Sequence, residues 1–118
     1  MNKDFIPNMY KIVDRMDAQG LADAMTPSGT FRFANMDPVT GTENLAGFFT
    51  SFFSSIKGIS HTDLEYWFMD NTWFATGTVS YTRHDDSSLT VPFSVILKMQ
   101  DELIDQYLVF VDASQLYI

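Results

Sequence analysis

The chain contains no cysteine. Disulfides, zinc–thiolate sites, iron–sulfur clusters and thiol catalysis are therefore excluded. It is poor in positive charge. Seven Lys and Arg stand against 15 Asp and Glu, for a net charge of −8. Its average surface repels phosphate backbones and anionic bilayers, so neither a nucleic acid nor a membrane is expected as partner. Glycine and proline are scarce, six and four of 118 residues, which excludes a collagen-like or low-complexity chain. No apolar run approaches the roughly 18 residues of a membrane-spanning helix. The start, Met1-Asn2-Lys3-Asp4-Phe5, holds no apolar signal core. A cytoplasmic location is the expectation.

What remains is an acidic chain that is 46% hydrophobic and 15% aromatic, enough to build a packed interior. At this length about two-thirds of the unfolded surface can be buried, so residues 1–118 are expected to form one domain. Phe5, Ile6, Met9, Ile12, Val13 and Met16 recur at helical steps, with Lys11, Asp14, Arg15 and Asp17 between them. Pro7 fits only a first turn, with Asn2 or Asp4 as cap. Gly20 is expected to end or kink this helix. A short helical piece from Leu21 to Met25 should stop at Thr26-Pro27-Ser28-Gly29, which is turn chemistry.

Thr30 to Asn35 alternates as a short strand with Phe31, Phe33 and Asn35 on one face. Asp37 to Gly41 reads as a loop. A second long helix follows, with Leu45, Phe48, Phe49, Phe52, Phe53 and Ile56 on one stripe, Thr42 as cap and Gly58 as stop. Four phenylalanines on one stripe call for a broad apolar partner. Four strands supply it: Thr62–Met69, Thr72–Arg83, Leu89–Met99 and Leu103–Asp112. Their short connections predict antiparallel pairing. The expected class is α+β, a cone-shaped curved antiparallel sheet with helices on its concave face.

Several short pieces carry a family resemblance over nearly the whole length. They are Phe31-Arg32-Phe33-Ala34-Asn35 followed by Pro38-Val39-Thr40-Gly41, His61 opening a strand, Val79 to Arg83, Val91-Pro92-Phe93, and Tyr107 to Asp112 with Leu116-Tyr117. In this order they resemble the SnoaL-like branch of the nuclear transport factor 2-like superfamily, which includes polyketide cyclases, ketosteroid isomerases, epoxide hydrolases and dehydratases. The resemblance implies the cone and leaves the chemistry open. The ketosteroid isomerase set does not transfer. Its first-helix Tyr falls on Val13, with Tyr10 one turn away, its late Asp near Val95, and its base near Phe33 or Asn35. The epoxide hydrolase set falls near Thr78, Ser80 and Val109 and does not transfer either.

If Tyr107 faces the cone, as the resemblance implies, Val109 and Val111 do too, and so do Phe93, Val95 and Leu97 of the strand before. Such a lining suits a small apolar molecule or a packed core. The candidate ligand-binding residues are Phe33, Asn35, Trp67, Tyr81, Val95, Tyr107 and Val109. Asn35 would hydrogen-bond a carbonyl or else terminate the strand. Tyr81 and Trp67 would offer a phenol and an indole or else serve as core aromatics. His61 is the candidate catalytic acid or base, the alternative being a strand-start histidine satisfied by backbone. Asp112 reads as a cap or an ion-pair partner of Arg83 or Arg32. His84-Asp85-Asp86 reads as solvated charge in a hairpin, and no metal or cofactor is expected.

Two functions fit. One is binding of a small apolar, carbonyl-containing molecule, with isomerase-, cyclase- or hydratase-like acid/base chemistry. The other is a non-catalytic dimerising module whose cone is a packed core. No residue supports a third, a transport adaptor like the superfamily's namesake. The last strands are apolar on both faces, with Ile96, Leu108 and Phe110 on the side away from Tyr107. A homodimer through this outer face is expected, and the resemblance implies the same.

Overall fold

A computed structural model describes residues 2–117. Met1 and Ile118, the ends of the expected 1–118 domain, lie outside them. Helix α1 (Phe5–Asp14) buries Ile6, Met9, Tyr10 and Val13, one face of a 3.6-residue period. Asn2 tethers its start, since its side-chain oxygen accepts from the Asp4 N–H and its carbonyl from the Phe5 N–H. Gly20 does not end this helix. The chain turns at Met16, which has a left-handed φ of 56°, and α2 (Ala18–Asp23) starts under Asp17, whose carboxylate accepts from the Gly20 N–H at 2.9 Å.

Strand β1 (Met25–Phe33) starts earlier than its turn-like sequence suggests. Its pairing shifts between Met25 and Thr30, so Thr26-Pro27-Ser28-Gly29 forms an irregular bulge, where a proline lacking an N–H costs no ladder bond. The buried Thr26 hydroxyl donates there to Asp105. The loop expected at 37–41 contains a two-residue strand, β2 (Val39–Thr40), paired with Thr30 and Phe31. Helix α3 (Thr42–Ser54) is capped by Gly41 rather than Thr42, at a φ of 94° that favours glycine. Ser55 closes it before Gly58, which opens the next strand.

Strands β3 (Gly58–Met69), β4 (Thr72–Thr82), β5 (Ser88–Gln100) and β6 (Leu103–Val111) form an antiparallel meander. Asp70 and Asn71, both left-handed, make the two-residue turn whose twist suits a hairpin. The sheet order is β2-β1-β6-β5-β4-β3. β1 lies parallel to β6, the one parallel pair in an otherwise antiparallel curved sheet.

One irregularity governs which side chains face the helices. Between Thr62 and Glu65, β3 carries an extra residue relative to β4, with Asp63 at a φ of 56°. A bulge of one residue reverses side-chain parity beyond it. Gly77 lies opposite, and a Cβ there would stand 2.8 Å from the Thr62 carbonyl oxygen. Before the bulge His61 sits inside, in register with buried Val79. After it Phe68 sits inside against Trp73, and Trp67 points outward. The core fills the space between α1, α3 and the inner face, with Phe49 wedged edge-on against Phe31 at 5.0 Å.

Candidate functional site

The helices leave a cavity against the inner face. Phe31, Phe33, Phe48, Phe49, Phe52, Phe53, Phe93, Val79, Val95 and Val109 form most of its wall. Its polar members are few: Tyr10 from α1, His61 from β3, Tyr81 from β4 and Tyr107 from β6. The free space is about 40 Å³. That is room for water-sized groups and well short of the roughly 300–1,000 Å³ of a drug-sized ligand site.

Asp14, in the last turn of α1, holds His61. One carboxylate oxygen accepts from the His61 backbone N–H at 3.1 Å, and the other lies 2.5 Å from Nδ1. A carboxylate only accepts, so Nδ1 carries the ring proton and Nε2 keeps its lone pair. Nε2 has no hydrogen-bond partner among the described residues. The ring is pinned between Tyr10, at 4.3 Å between centroids, and the edge of Phe93 at 5.0 Å. Burial pushes the His61 pKa below its ordinary value, and the Asp14 contact opposes this without cancelling it. The neutral base is therefore the form present near pH 7.

The Tyr10 hydroxyl is buried; the Tyr107 phenol is close enough to influence its titration, but no group among the described residues meets hydrogen-bond geometry with it. Leaving such a group unpaired costs about 1–3 kcal/mol. Burial pushes the pKa of Tyr10 well up, with the neighbouring Tyr107 phenol adding to it. Tyr107 and Tyr81 are also raised, chiefly by burial. All three phenols keep their protons and act as donors. The arrangement is one oriented base beside phenol donors in an apolar chamber, which suits proton transfer next to an oxygen that gains charge.

Six of the residues singled out from the sequence line this chamber: Phe33, His61, Tyr81, Val95, Tyr107 and Val109. Two do not. Trp67 is 54% exposed on the outer face, because the bulge at Asp63 reverses its parity. Asn35 is exposed, because Ala34 turns left-handed at a φ of 52° and carries the chain out of β1 before it. Thr78 and Ser80 alternate with inward Val79 and Tyr81, and Ser80 bonds Thr90 instead. Asp112 accepts from the Ser114 N–H, while Arg83 holds the carbonyls of Gln115 and Leu116. In the β4–β5 loop, His84 bonds the Ser54 carbonyl, Asp85 bonds Ser87, and Asp86 pairs with Lys57. No three potential metal-ligating side chains converge among the described residues.

The sequence does not single out Asp14, the partner of His61, because it falls among the polar positions of the α1 pattern. The available signal was its spacing, four residues after Tyr10 and so on the same side of the helix. Tyr10 itself sits one turn from the resemblance's tyrosine position, yet both Tyr10 and Val13 reach the cavity.

The model of the SnoaL-like domain matches residues 6–107. The chain belongs to the SnoaL-like domain family. No curated protein matches this SnoaL-like chain in sequence. Solved structures match its fold. A hypothetical protein from Catenulispora acidiphila DSM 44928 with a ketosteroid isomerase-like fold, in complex with trimethylamine, has a TM-score of 0.84 at 13% identity, covering 93% of this chain and 86% of that one. A candidate polyketide cyclase from Xanthomonas campestris pv. campestris has a TM-score of 0.85 at 12% identity, covering 95% and 90%. TerC, co-crystallized with polyporic acid, has a TM-score of 0.82 at 15% identity, covering 97% and 93%. At these identities the likeness establishes the fold. No helix of the described residues is long and apolar enough to cross a membrane.

Proposed function

We propose that this SnoaL-like chain binds a small, largely apolar, carbonyl-containing molecule in its cone and moves a proton on it, in isomerase-, cyclase- or hydratase-like chemistry. The observation that carries the reading is the Asp14–His61 pair beside the unpartnered Tyr10 hydroxyl in an apolar cavity. Nε2 of His61 takes a proton from the carbon next to the carbonyl. The C–H electron pair moves to the oxygen as an enolate, and the imidazolium formed is stabilised by Asp14. The enolate oxygen accepts from the Tyr10 hydroxyl, and the proton returns from Nε2 to the product. General-base catalysis of this kind is worth roughly 10²–10⁴-fold. Relatives crystallised with trimethylamine and with polyporic acid are in keeping with small-molecule binding in this fold.

The test is deuterium exchange. Acetophenone and 2-cyclohexenone are incubated with the protein in D2O and followed by NMR. Wild type should accelerate exchange beside the carbonyl, and His61→Gln should lose that acceleration. Tyr10→Phe should weaken it with the fold intact. A wild type that neither binds nor accelerates exchange of either ketone or of a longer alkyl homologue such as 4-hexylacetophenone would remove the reading.

A second reading, a non-catalytic module with a packed cone, draws on the small free volume of about 40 Å³. It predicts that no small apolar ketone shifts the thermal midpoint. Under either reading we propose a cytoplasmic homodimer formed through the outer sheet face. Trp67, Phe74, Ile96 and Leu108 stand in register across β3 to β6 on that face, with exposed Phe110 beside them. A second copy would bury on the order of 1,200–2,000 Å² in total.

A further inference from the structure

Beside the cone lies an apolar groove of about 220 Å³, open to solvent and lined by Phe33, Phe48 and Phe52 with the exposed Met36, Ser51, Ser55 and Tyr117; it is called the outer chamber below. The three phenylalanines line the inner cavity as well, so they are the partition between the two spaces. All three are only half-buried, whereas Phe49, the residue after Phe48 in α3, is enclosed. Phe48 and Phe52 lie with parallel rings, 6.4 Å between centroids and 4° apart in plane, and Phe33 closes on Phe52 at 5.3 Å. The far wall is set by Tyr117, whose hydroxyl bonds Ser55 at 2.7 Å, and by Met36, 50% exposed. Arg83 grips the backbone just before Tyr117 through the Gln115 and Leu116 carbonyls, which fixes that wall.

The inner cavity holds the polar groups and the outer chamber has the room. We infer that the ligand spans both: a carbonyl- or hydroxyl-bearing head at His61 and Tyr10, and a flat or linear apolar arm that displaces the Phe48–Phe52 partition and rests against Met36 and Tyr117. The substrate class is thus an elongated ketone or enone with one apolar arm, rather than a compact one. This rests on the proposed proton-transfer site. The Phe33, Phe48 and Phe52 rings set the accepted arm, because they must rotate to join the two spaces. Burying the arm supplies affinity that the small inner cavity cannot.

The test is a homologous series, acetophenone with 4-ethyl-, 4-butyl- and 4-hexylacetophenone, titrated into the protein and followed by NMR. In wild type, affinity should climb about fourfold per methylene until the chamber is filled. Ser51→Trp, at an exposed position of α3 that fills the outer chamber, should flatten that climb. Met36→Glu, which places a charge in the arm's path, should penalise only the long members. Acetophenone binding with no length dependence in wild type, or a climb unaltered in both variants, would overturn the outer chamber and leave the inner site standing. Failure of every member to bind would overturn both.

Discussion

The two faces of the sheet are built from the same four long strands, yet they meet different surroundings. The inner face packs Trp73, Val79, Phe93, Val95, Leu97 and Tyr107 against α1 and α3, and these residues are nearly inaccessible. The outer face is mixed: Thr76, Thr78 and Ser80 of β4 and Thr90, Ser94 and Lys98 of β5 point outward, and Trp67, Phe74, Ile96, Leu108 and Phe110 form an apolar band across it, with Trp67 and Phe110 about half exposed, at 54% and 52%. A sheet with one wet face alternates apolar and polar residues. β4 and β5 follow that rule outside the apolar band, but within it hydrophobicity alone does not tell which side a residue takes. The side is decided by pairing register, and in β3 register changes hand at a single inserted residue.

The sharpest contrast between the faces is energetic. Phe49→Ala should cost about 3–5 kcal/mol, read as a fall in the denaturant midpoint, because its ring is enclosed on every side. Phe52→Ala should cost less, since that ring is half-buried. Phe110→Ala on the outer face should shift the midpoint of a monomeric form by under about 0.5 kcal/mol. Equal losses at Phe49 and Phe110 would erase the distinction between the faces. The outer face is broken more directly by Leu108→Asp with Phe110→Asp. Sedimentation should show a dimer for wild type and a folded monomer for the double variant. A monomeric wild type at micromolar concentration would show that the apolar outer face is not a self-association surface.

The switch in register offers a smaller effect. Gly77→Ala places a methyl group 2.8 Å from the Thr62 carbonyl oxygen opposite the bulge. It should cost about 1–3 kcal/mol in chemical denaturation, as overpacking does. A neutral result would mean that the bulge adjusts freely and does not hold Trp67 outside. The smallest effect concerns His61. Its folded-state pKa lies below the value of about 6.5 it has when unfolded. The unfolded chain therefore binds the proton first as pH falls. Stability should be lost as pH drops below about 6.5 and the loss should level off beneath the folded-state pKa. Comparing wild type with His61→Gln across pH 5–8 isolates this contribution. Identical slopes would place His61 in an environment no different from water.

Much of the fold was legible because its signals are local. The stripe from Leu45 to Phe53 lies along one helix face at any tertiary arrangement. Asp70-Asn71 and Asp101-Glu102 are short polar turns between apolar runs, so the meander could be read from them. The register of β5 against β6 is read the same way, and it sets Val95 beside Val109 and Leu97 beside Tyr107 on the inner face. Pattern without partners misleads where a signal is shared. Thr26-Pro27-Ser28-Gly29 has turn chemistry, yet β6 holds it as a bulge within β1.

By itself, then, the sequence determined the class of elements, their order and the aromatic weight of the interior, because helical and strand periodicities and turn residues act over a few neighbours. It set His61 at the opening of a strand, whereas β3 begins three residues earlier, at Gly58. The tertiary structure decided the rest. Asp14 reaches His61 across 47 positions of chain, and no spacing rule links a polar residue in a helix to a strand so far along. The extra residue at Asp63 turns Trp67 out of the cone, because a period of two carries any single insertion through every residue that follows. The Tyr10 hydroxyl is shut away from water without a well-formed hydrogen bond among the described residues, and burial, unlike periodicity, is a property of the folded chain.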